Sequence, residues 1–180
     1  TQFNCSEDLD SYPQTLADDL KNLRELSVNY VLIPTYEEMY PYKTRFRIEE
    51  NELSKMIEGQ SRPGHFSGVL TVVMKFLQIV NPDRAYFGEK DYQQYLLIRD
   101  MVEAFFLDVD IIACPTVRDP DGLALSSRNL NLSVSARVKA PKLHELMRSK
   151  SSDNEVRLEL AKEGFEVEYV QTKFKNSGNF

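Results

Sequence analysis

An α/β fold, in which helices flank a parallel sheet, is the fold class that the sequence predicts. The apolar periodicity switches repeatedly between about 3.6 residues, which is typical of helices, and the continuous runs that are typical of buried strands. Two such runs enclose a helical segment in the middle of the chain. Strands connected in the order strand, helix, strand are parallel, and the crossover between them is right-handed. The C-terminal part predicts a smaller α+β unit.

The N-terminal elements are predicted to be one helix and two strands. Leucines recur on one helical face after Pro13, at positions 16, 20, 23 and 26. The run YVLIP, residues 30–34, is short, apolar and stopped by proline, as expected for a strand that is covered on both faces. The stretch TRFRIE, residues 44–49, alternates Phe46 and Ile48 with charged residues, which indicates a strand with one face in water.

A core helix and a crossover follow. The helix is predicted from about Phe66 to Val80, and the Asn81-Pro82 pair ends it. The crossover consists of the strand RAYF, residues 84–87, an amphipathic helix after Asp91, and the apolar strand VDIIAC, residues 109–114. We therefore predict a Rossmann-like parallel sheet, whose ligands bind in loops that follow the strands.

The composition of the chain changes after Cys114. Residues 115–133, PTVRDPDGLALSSRNLNLS, are predicted to be a long polar loop with a Pro-Asp-Gly turn. From about Ser133 the sequence predicts two helices and an alternating strand. We therefore expect a nucleotide- and substrate-binding domain over residues 1–132 and a smaller, incomplete C-terminal lid domain over residues 133–180.

Charge and cysteine content exclude several classes of function. The 22 basic and 28 acidic residues give a net charge of -6, and no Lys/Arg-rich run is present that could neutralise a phosphate backbone. No apolar run approaches the roughly 18 residues of a membrane span. The cysteines, Cys5 and Cys114, lie too far apart to indicate a zinc site or a disulfide framework. We predict a cytoplasmic protein without nucleic-acid or membrane partners.

The stretch GEKDYQQ, residues 88–94, places a polar cluster on the turn between a strand and a helix. A helix N-terminus presents free N–H groups and a partial positive charge, so such a turn can bind an anion. Lys90 adds a mobile full charge. The alternative is structural: Gly88 makes the turn, Asp91 caps the helix and Lys90 is solvated.

The stretch LSSRN, residues 125–129, offers two hydroxyls, a guanidinium and an amide. These groups are suited to binding phosphate oxygens through charge-assisted hydrogen bonds. The alternative is a serine that caps a surface turn. Because this loop and the GEKDYQQ turn follow consecutive parallel strands, we expect both to open on the same edge of the sheet.

Four motifs together carry a family resemblance. The motifs TQFN with EDLDSYPQTLADDL, EGQSRPGHFSGVLTVV, FGEKDYQQ, and PTVRDPDGLALSSRNLNLS occur in that order. They resemble the successive signatures of the pantothenate synthetases, the pantoate-beta-alanine ligases of the adenylate-forming nucleotidyltransferase superfamily. The resemblance covers residues 1 to about 133. It implies a homodimeric, ATP-dependent and Mg²⁺-dependent ligase that condenses pantoate with β-alanine through pantoyl adenylate, releasing AMP and pyrophosphate.

The resemblance also implies roles for individual residues. The residues that it places around ATP are Gly88, Glu89, Lys90, Asp91, Val117, Leu125, Ser126, Ser127 and Arg128. Of these, the residues that it assigns to catalysis offer charge or hydroxyls to the phosphates: Lys90, Ser126, Ser127 and Arg128. Val117 would contact the nucleotide base. The lysine and the arginine would act mainly by electrostatic preorganisation.

Glutamines and one aspartate complete the predicted site. The resemblance implies that Gln2 and Gln94 hold pantoate, and a glutamine amide suits a hydroxy acid because it both donates and accepts without adding charge. The adjacent Gln93 is interpreted as structural. Asp18 is the candidate for the Mg²⁺ environment, a role that rests on the resemblance.

Three further side chains are interpreted as structural. In RPGHF, His65 and Arg62 are expected to hold the loop before the core helix rather than to contact a substrate. His144 lies among apolar residues of an ordinary amphipathic helix, which indicates a structural role. Cys5 and Cys114 are expected to be incidental.

Two alternatives to the ligase remain open from the sequence. The family has an N-terminal strand and a loop with two histidines ahead of the segment that resembles Thr1–Asn4, so we expect the native chain to include them. One alternative is another nucleotidyltransferase of the same superfamily. The other is a nucleotide-binding regulatory or interaction module that lacks catalysis because the histidine motif is absent.

Overall fold

The computed structural model describes residues 6–149 and 152–172, and it confirms the predicted α/β class with a parallel sheet flanked by helices. The chain divides into two compact units. The first comprises the chain up to Thr116 together with Ser126–Asn131, and the second comprises Val117–Leu125 and the chain from Leu132 onward. The domain boundary at residue 132 stays a prediction.

Helices and a two-stranded parallel sheet make up the first unit. The helices are α1 (Ser6–Ser11), α2 (Leu16–Glu25), α3 (Tyr36–Met39), α4 (Glu58–Ser61), α5 (His65–Val80) and α6 (Tyr92–Ala104). Strand β1 (Arg84–Gly88) pairs in parallel with β2 (Asp110–Cys114), and α6 connects them. The predicted helices after Pro13, before Asn81 and after Asp91 are therefore confirmed, as are both strands of the crossover.

The core of the first unit lies between α5, α6 and the sheet. Its buried residues are Leu53, Phe66, Val69, Leu70, Leu77, Leu96, Leu97, Ile98, Met101 and Val102. Phe66 and Ile98 are almost completely inaccessible to solvent. Burying one such side chain stabilises the fold by about 1.5–3 kcal/mol. The largely apolar sequence of α5 is thus explained by its position in the core.

The prediction of a strand at residues 30–34 is wrong. This segment has no regular secondary structure, and Tyr30 is 93% exposed. A strand forms only where a neighbouring strand satisfies its backbone N–H and C=O groups. Within the described residues the only sheet is the β1–β2 pair, which gives this segment no partner.

The prediction of a strand at residues 44–49 is also wrong, for a different reason. Side chains of α5 satisfy the backbone of Ile48: its N–H donates to Thr71 Oγ1 at 2.9 Å, and its carbonyl accepts from Ser67 Oγ at 2.8 Å. Ile48 packs against the core from this position. The apolar residue was correctly expected to be partly buried, but a helix rather than a strand holds it.

The second unit contains more helix than the sequence predicted. Its helices are α7 (Val134–Lys139), α8 (Pro141–Met147) and α9 (Asp153–Lys162), where two helices were expected. Pro141, which has no N–H group, begins a new helix and so divides the first predicted one. The expected strand after α9 is wrong as well. Residues 165–172 are irregular, and Arg157 and Asp153 of α9 hydrogen-bond to Val167 and Thr172 within them.

Glu50 organises the segment that leads to α4. Its carboxylate accepts hydrogen bonds from the backbone N–H groups of Glu52 at 2.8 Å and Ser54 at 2.6 Å. Partial burial raises the pKa of Glu50, but these N–H groups, led by that of Ser54, lower it, and the net pKa lies below its ordinary value of 4.5. The ionised carboxylate is therefore the form that stabilises the fold.

We expect Glu50→Gln to lower the free energy of unfolding by about 1 kcal/mol at neutral pH, a hydrogen-bond value reduced for partial exposure. Because the folded-state pKa is depressed, this contribution is present above pH 4.5 and is lost as the pH falls through the folded-state pKa. Urea unfolding at pH 7 and at about pH 3 measures the difference. A gap between wild type and variant that is equal at both pH values would contradict this assignment.

Candidate functional site

A polar pocket of about 190 Å³ lies within the first unit. Its lining residues come from separate segments of the chain: Tyr12, Glu58, Arg62, His65, Asp91, Gln94 and Arg128. Asp91 and Gln94 belong to the GEKDYQQ stretch, and Arg128 belongs to the LSSRN stretch. The structure thus brings together the two motifs that the sequence placed on one edge of the sheet.

The start of α6 forms one wall of the pocket. Asp91 is the residue immediately before the helix, but its side chain makes no capping hydrogen bond. The structure therefore does not support the alternative in which the Asp91 side chain caps the helix. Gln94 lies in the first turn of α6 and is half-buried at the pocket. Gln93 is directed elsewhere, to the backbone carbonyls of Leu53 and Met56 at 2.7 and 2.9 Å, in agreement with its interpretation as structural.

A second wall of the pocket carries a charged cluster from α4 and the start of α5. Arg62 Nη1 donates to Glu58 Oε1 at 2.9 Å and lies 3.3 Å from His65 Nε2. An arginine can only donate, so a hydrogen bond between these two groups has His65 Nε2 as its acceptor. His65 is 8% exposed, and its ring packs against Phe66. Arg62 and His65 thus make contacts at the turn before α5. Because both also line the pocket, the expectation that they hold this turn rather than contact a substrate stays a prediction.

The third wall is formed by Arg128 and Tyr12. Arg128 lies in a 3₁₀ turn, Ser127–Asn131, and its guanidinium carbon is 4.8 Å from the centre of the Tyr12 ring. The Asn131 side-chain amide donates to the carbonyl of Ser11 at 3.0 Å, across 120 residues of chain. Ser126 Oγ accepts from the Arg128 N–H at 3.3 Å, which organises the turn.

The remaining residues predicted to bind the phosphates do not line this pocket. Gly88 ends β1, and the 3₁₀ turn Glu89–Asp91 carries an exposed Lys90. Ser126 and Ser127 are half-buried. Gly88 has φ -72°, and a Cβ atom built on it would meet nothing within 4 Å. The turn therefore has no conformational need for glycine, so the structural alternative for Gly88 does not explain the residue.

Val117, Leu125 and Asp18 are not among the residues that line the pocket. Val117 and Leu125 belong to the second unit and are 66% and 49% exposed. Asp18 is exposed in the first turn of α2. Gln2 lies outside the described residues. In the part of the chain that the structure describes, no three His, Cys, Asp or Glu side chains are grouped to hold a metal ion.

The segment Val117–Leu125 is a small hairpin, where the sequence predicted only a loop. The Leu125 N–H donates to the Val117 carbonyl at 3.0 Å, and Gly122 turns the chain at φ +94°. Arg137 of α7 bonds to Asp119 at 3.1 Å and to Asp121 at 2.5 Å. The hydrogen bond from Arg137 lowers the pKa of Asp121. These ion pairs fix the hairpin that carries Val117 and Leu125.

The structural role predicted for His144 and the incidental roles predicted for the cysteines stay predictions. His144 lies beside the Val117–Leu125 hairpin, where its Nδ1 would be 3.0 Å from a Cβ atom built on Gly122. Cys114 is a half-buried free thiol at the end of β2. Cys5 lies outside the described residues. Neither His144 nor Cys114 lines the pocket.

Sequence reasoning missed two pocket residues, Tyr12 and Glu58. The spacing of Glu58 and Arg62, four residues apart on one helical face, is a signal that could have indicated a charged pair. No local signal marks Tyr12, because it reaches Arg128 only through the fold. A further cavity of about 150 Å³ beside α5 contains none of the predicted site residues.

Known proteins share the sequence pattern of this chain over almost its whole length. A family model described as "Pantoate-beta-alanine ligase" matches residues 1–178. A protein named pantothenate synthetase from Bdellovibrio bacteriovorus is 48% identical over 170 residues, which cover 94% of this chain and 68% of that protein. One of the same name from Legionella pneumophila is 44% identical, over 95% of this chain and 68% of its own length.

Solved structures give the same result for the fold. A pantoate-beta-alanine ligase from Francisella tularensis, complexed with β,γ ATP and β-alanine, superposes with a TM-score of 0.91 at 43% identity. It covers 97% of this chain, which spans 68% of that structure. Pantothenate synthetase from Thermus thermophilus superposes with a TM-score of 0.79 at 44% identity, over 91% of this chain and 57% of that structure.

Proposed function

The chain belongs to the pantoate-beta-alanine ligase family, and we propose that the pocket lined by Asp91, Gln94 and Arg128 is its substrate site. The protein is an ATP-dependent ligase that condenses pantoate with β-alanine to pantothenate, with release of AMP and pyrophosphate. The observation that carries the site assignment is the meeting of the GEKDYQQ and LSSRN stretches in one pocket. Nothing in the comparisons favours the alternative of a non-catalytic nucleotide-binding module.

The charges of these residues suit the first half-reaction, in which a pantoate carboxylate oxygen attacks the α-phosphorus of ATP and pyrophosphate leaves. Negative charge then accumulates on the departing phosphates. Arg128, and Lys90 from its exposed turn, would offset that charge, with the greatest effect where water is excluded. The hydroxyls of Ser126 and Ser127 would add hydrogen bonds to the same oxygens. The β-alanine amine then attacks the pantoyl carbonyl carbon, and AMP leaves.

Gln94 is the residue we assign to pantoate. Its amide is half-buried at the pocket and, within the described residues, bonds to no other side chain. An amide can donate to the pantoate carboxylate and accept from a pantoate hydroxyl. Gln2, which lies outside the described residues, is proposed as the second pantoate ligand. Val117 and Leu125 are proposed to contact the nucleotide.

Gly88, Glu89 and Asp91 are proposed to border ATP, with Gly88 providing space for it. Its ordinary φ and the open space at the Cβ position mean that alanine fits the folded chain. We expect Gly88→Ala to leave the free energy of unfolding unchanged within about 0.5 kcal/mol. If ATP occupies that space, the added methyl should weaken ATP binding by roughly tenfold or more. Calorimetric titration with ATP measures this, and unchanged affinity would contradict the role of Gly88.

Magnesium is proposed to enter with ATP. Mg²⁺ commonly uses one or two protein carboxylates together with substrate phosphates and water. That donor set is compatible with the described residues, which offer single carboxylates rather than a group of three metal ligands. We propose that Asp18, exposed in the first turn of α2, supplies a carboxylate, with Mg²⁺ contributing charge neutralisation to the phosphates.

The assembly and location of the protein are also proposals. We propose a homodimer and a cytoplasmic location, where ATP is available. Within residues 6–149 and 152–172, none of the helices combines the length and the apolar character that a bilayer crossing requires. Sedimentation velocity measures the assembly state, and a single monomeric species at micromolar concentration would contradict the dimer.

The experiment that tests the proposed site is pantoate-dependent exchange of labelled pyrophosphate into ATP, with Mg²⁺ present. We expect exchange that requires pantoate but not β-alanine in the wild-type protein. We also expect Gln94→Leu to raise the pantoate KM, because the amide contacts are lost. If Gln94→Leu has wild-type exchange kinetics, the assignment of this pocket as the pantoate site is wrong.

A further inference from the structure

We propose that Gln93 is a positioning residue for the reaction: its amide clamps residues 53–58 and thereby fixes the pocket wall that carries Glu58, Arg62 and His65. The proposal rests on the proposed function of that pocket. Gln93 itself does not line the pocket. It acts through the segment that it holds.

The Gln93 amide uses its donors and its acceptor on one short segment. Nε2 donates to the carbonyls of Leu53 at 2.7 Å and Met56 at 2.9 Å, and Oε1 accepts from the Glu58 N–H at 3.3 Å. Two donors and one acceptor on a side chain of this length are available from glutamine alone. Glutamate cannot donate when ionised, methionine has no N–H group, and asparagine is one methylene shorter.

The clamped segment is under backbone strain. Ile57 adopts φ 50° and ψ -115°, a conformation that a β-branched residue rarely takes. Two residues later, a Cβ atom built on Gly59 would lie 1.9 Å from the Ser54 carbonyl oxygen, so the chain folds back tightly on itself. Such backbone persists only where surrounding contacts determine it. The bonds from Gln93 on either side of Ile57 supply contacts of this kind.

The strained segment leads directly into the charged wall. Glu58 Oε1 lies 2.9 Å from Arg62 Nη1 and 4.0 Å from His65 Nε2, so movement at residue 58 would displace all three side chains. Gln94, the next residue after Gln93, lines the same pocket. The first turn of α6 therefore presents one glutamine to the pocket, while the neighbouring glutamine holds the segment that carries Glu58.

The test uses Gln93→Met in the full-length protein, with Gln78→Met as the matched control because Gln78 is an exposed glutamine on α5. Hydrogen–deuterium exchange reports on residues 53–62, and pantoate-dependent pyrophosphate exchange reports on the reaction. We expect Gln93→Met to speed amide exchange in that segment and to lower kcat/KM for pantoate, each by roughly tenfold. The control should change neither.

A double variant shows whether Gln93 acts through the charged wall. Glu58→Gln weakens that wall directly, so adding Gln93→Met should lower kcat/KM by only about twofold more. If the loss of kcat/KM in the double variant equals the product of the two single-variant losses, Gln93 acts independently of Glu58 and the proposal is wrong. Where Gln93→Met does not fold, Gln93→Asn is used, and it should change both measurements in the same direction.

Two other results would overturn the positioning role. One is unchanged amide exchange in residues 53–62, and the other is faster amide exchange with an unchanged kcat/KM. Absence of pyrophosphate exchange in the wild-type protein would instead refute the proposed function, and the positioning role with it. Hydrogen–deuterium exchange would still show whether Gln93 holds residues 53–62 in place, so the two failures are distinguishable.

Discussion

Replacing Arg128 by alanine is expected to lower the rate of pantoate-dependent pyrophosphate exchange by about 100-fold to 1,000-fold, the typical loss for a preorganised donor to developing charge. The guanidinium is exposed at the pocket and stacks over the Tyr12 ring. The side chain is not part of the core, so the folded state should persist. Steady-state exchange kinetics at saturating ATP and pantoate measure the loss in rate, and thermal unfolding verifies the fold.

Two control variants test whether the loss of exchange rate is specific to the Arg128 guanidinium. Arg128→Lys keeps the charge but loses the planar fork, and we expect it to retain part of the activity. Arg45→Ala removes another guanidinium that lies over an aromatic ring, 5.6 Å from the centre of Phe46, and should not change the exchange rate. If Arg128→Ala lowers exchange no more than Arg45→Ala does, Arg128 does not stabilise charge in the reaction.

Replacing Gly59 by alanine is expected to give the largest loss of stability among single methyl additions at the glycines described above. The new Cβ would lie 1.9 Å from the carbonyl oxygen of Ser54 and 2.7 Å from its carbonyl carbon. These are backbone atoms, so the methyl cannot be accommodated by a side-chain rotation. We expect the free energy of unfolding to fall by about 3 kcal/mol, the upper range for overpacking. Urea unfolding at neutral pH measures the change.

Two glycine controls separate steric conflict from backbone strain. Gly88→Ala adds a methyl in open space at φ -72° and should not alter stability. Gly64→Ala also meets open space, but at φ +78°, and should cost about 1 kcal/mol through strain alone. If Gly59→Ala and Gly64→Ala have the same free energy of unfolding, the Ser54 backbone can shift away from the new methyl at little energetic cost.

The elements that the sequence predicted correctly are those whose local pattern and tertiary environment agree. In α5 and α6 the apolar residues face a core, and β1 and β2 have each other as partners. Residues 30–34 and 165–170 have equally convincing strand patterns. A strand, however, requires a hydrogen-bonding neighbour, and no local pattern specifies one. Tertiary context therefore decided these two segments.

The candidate site was predictable where several polar and charged side chains stand close together in the sequence. Asp91, Gln94 and Arg128 stand in polar clusters that follow strands, and the structure places them in one pocket. Tyr12 is one aromatic residue among many, and Glu58 is one acid among many. Their membership of the pocket depends on how separate segments meet, which sequence spacing does not express.

The hydrogen bond between Asn131 and Ser11 also bears on the order of folding during synthesis. It closes 120 residues of chain, whereas α5, β1, α6 and β2 lie within residues 65–114. Contacts that are close in sequence form early, and distant ones must wait for loop closure. A nascent chain that has emerged as far as Cys114 can therefore hold its scaffold while Arg128 is still within the ribosome. The pocket that Arg128 lines is then completed last, after the rest of its unit has folded.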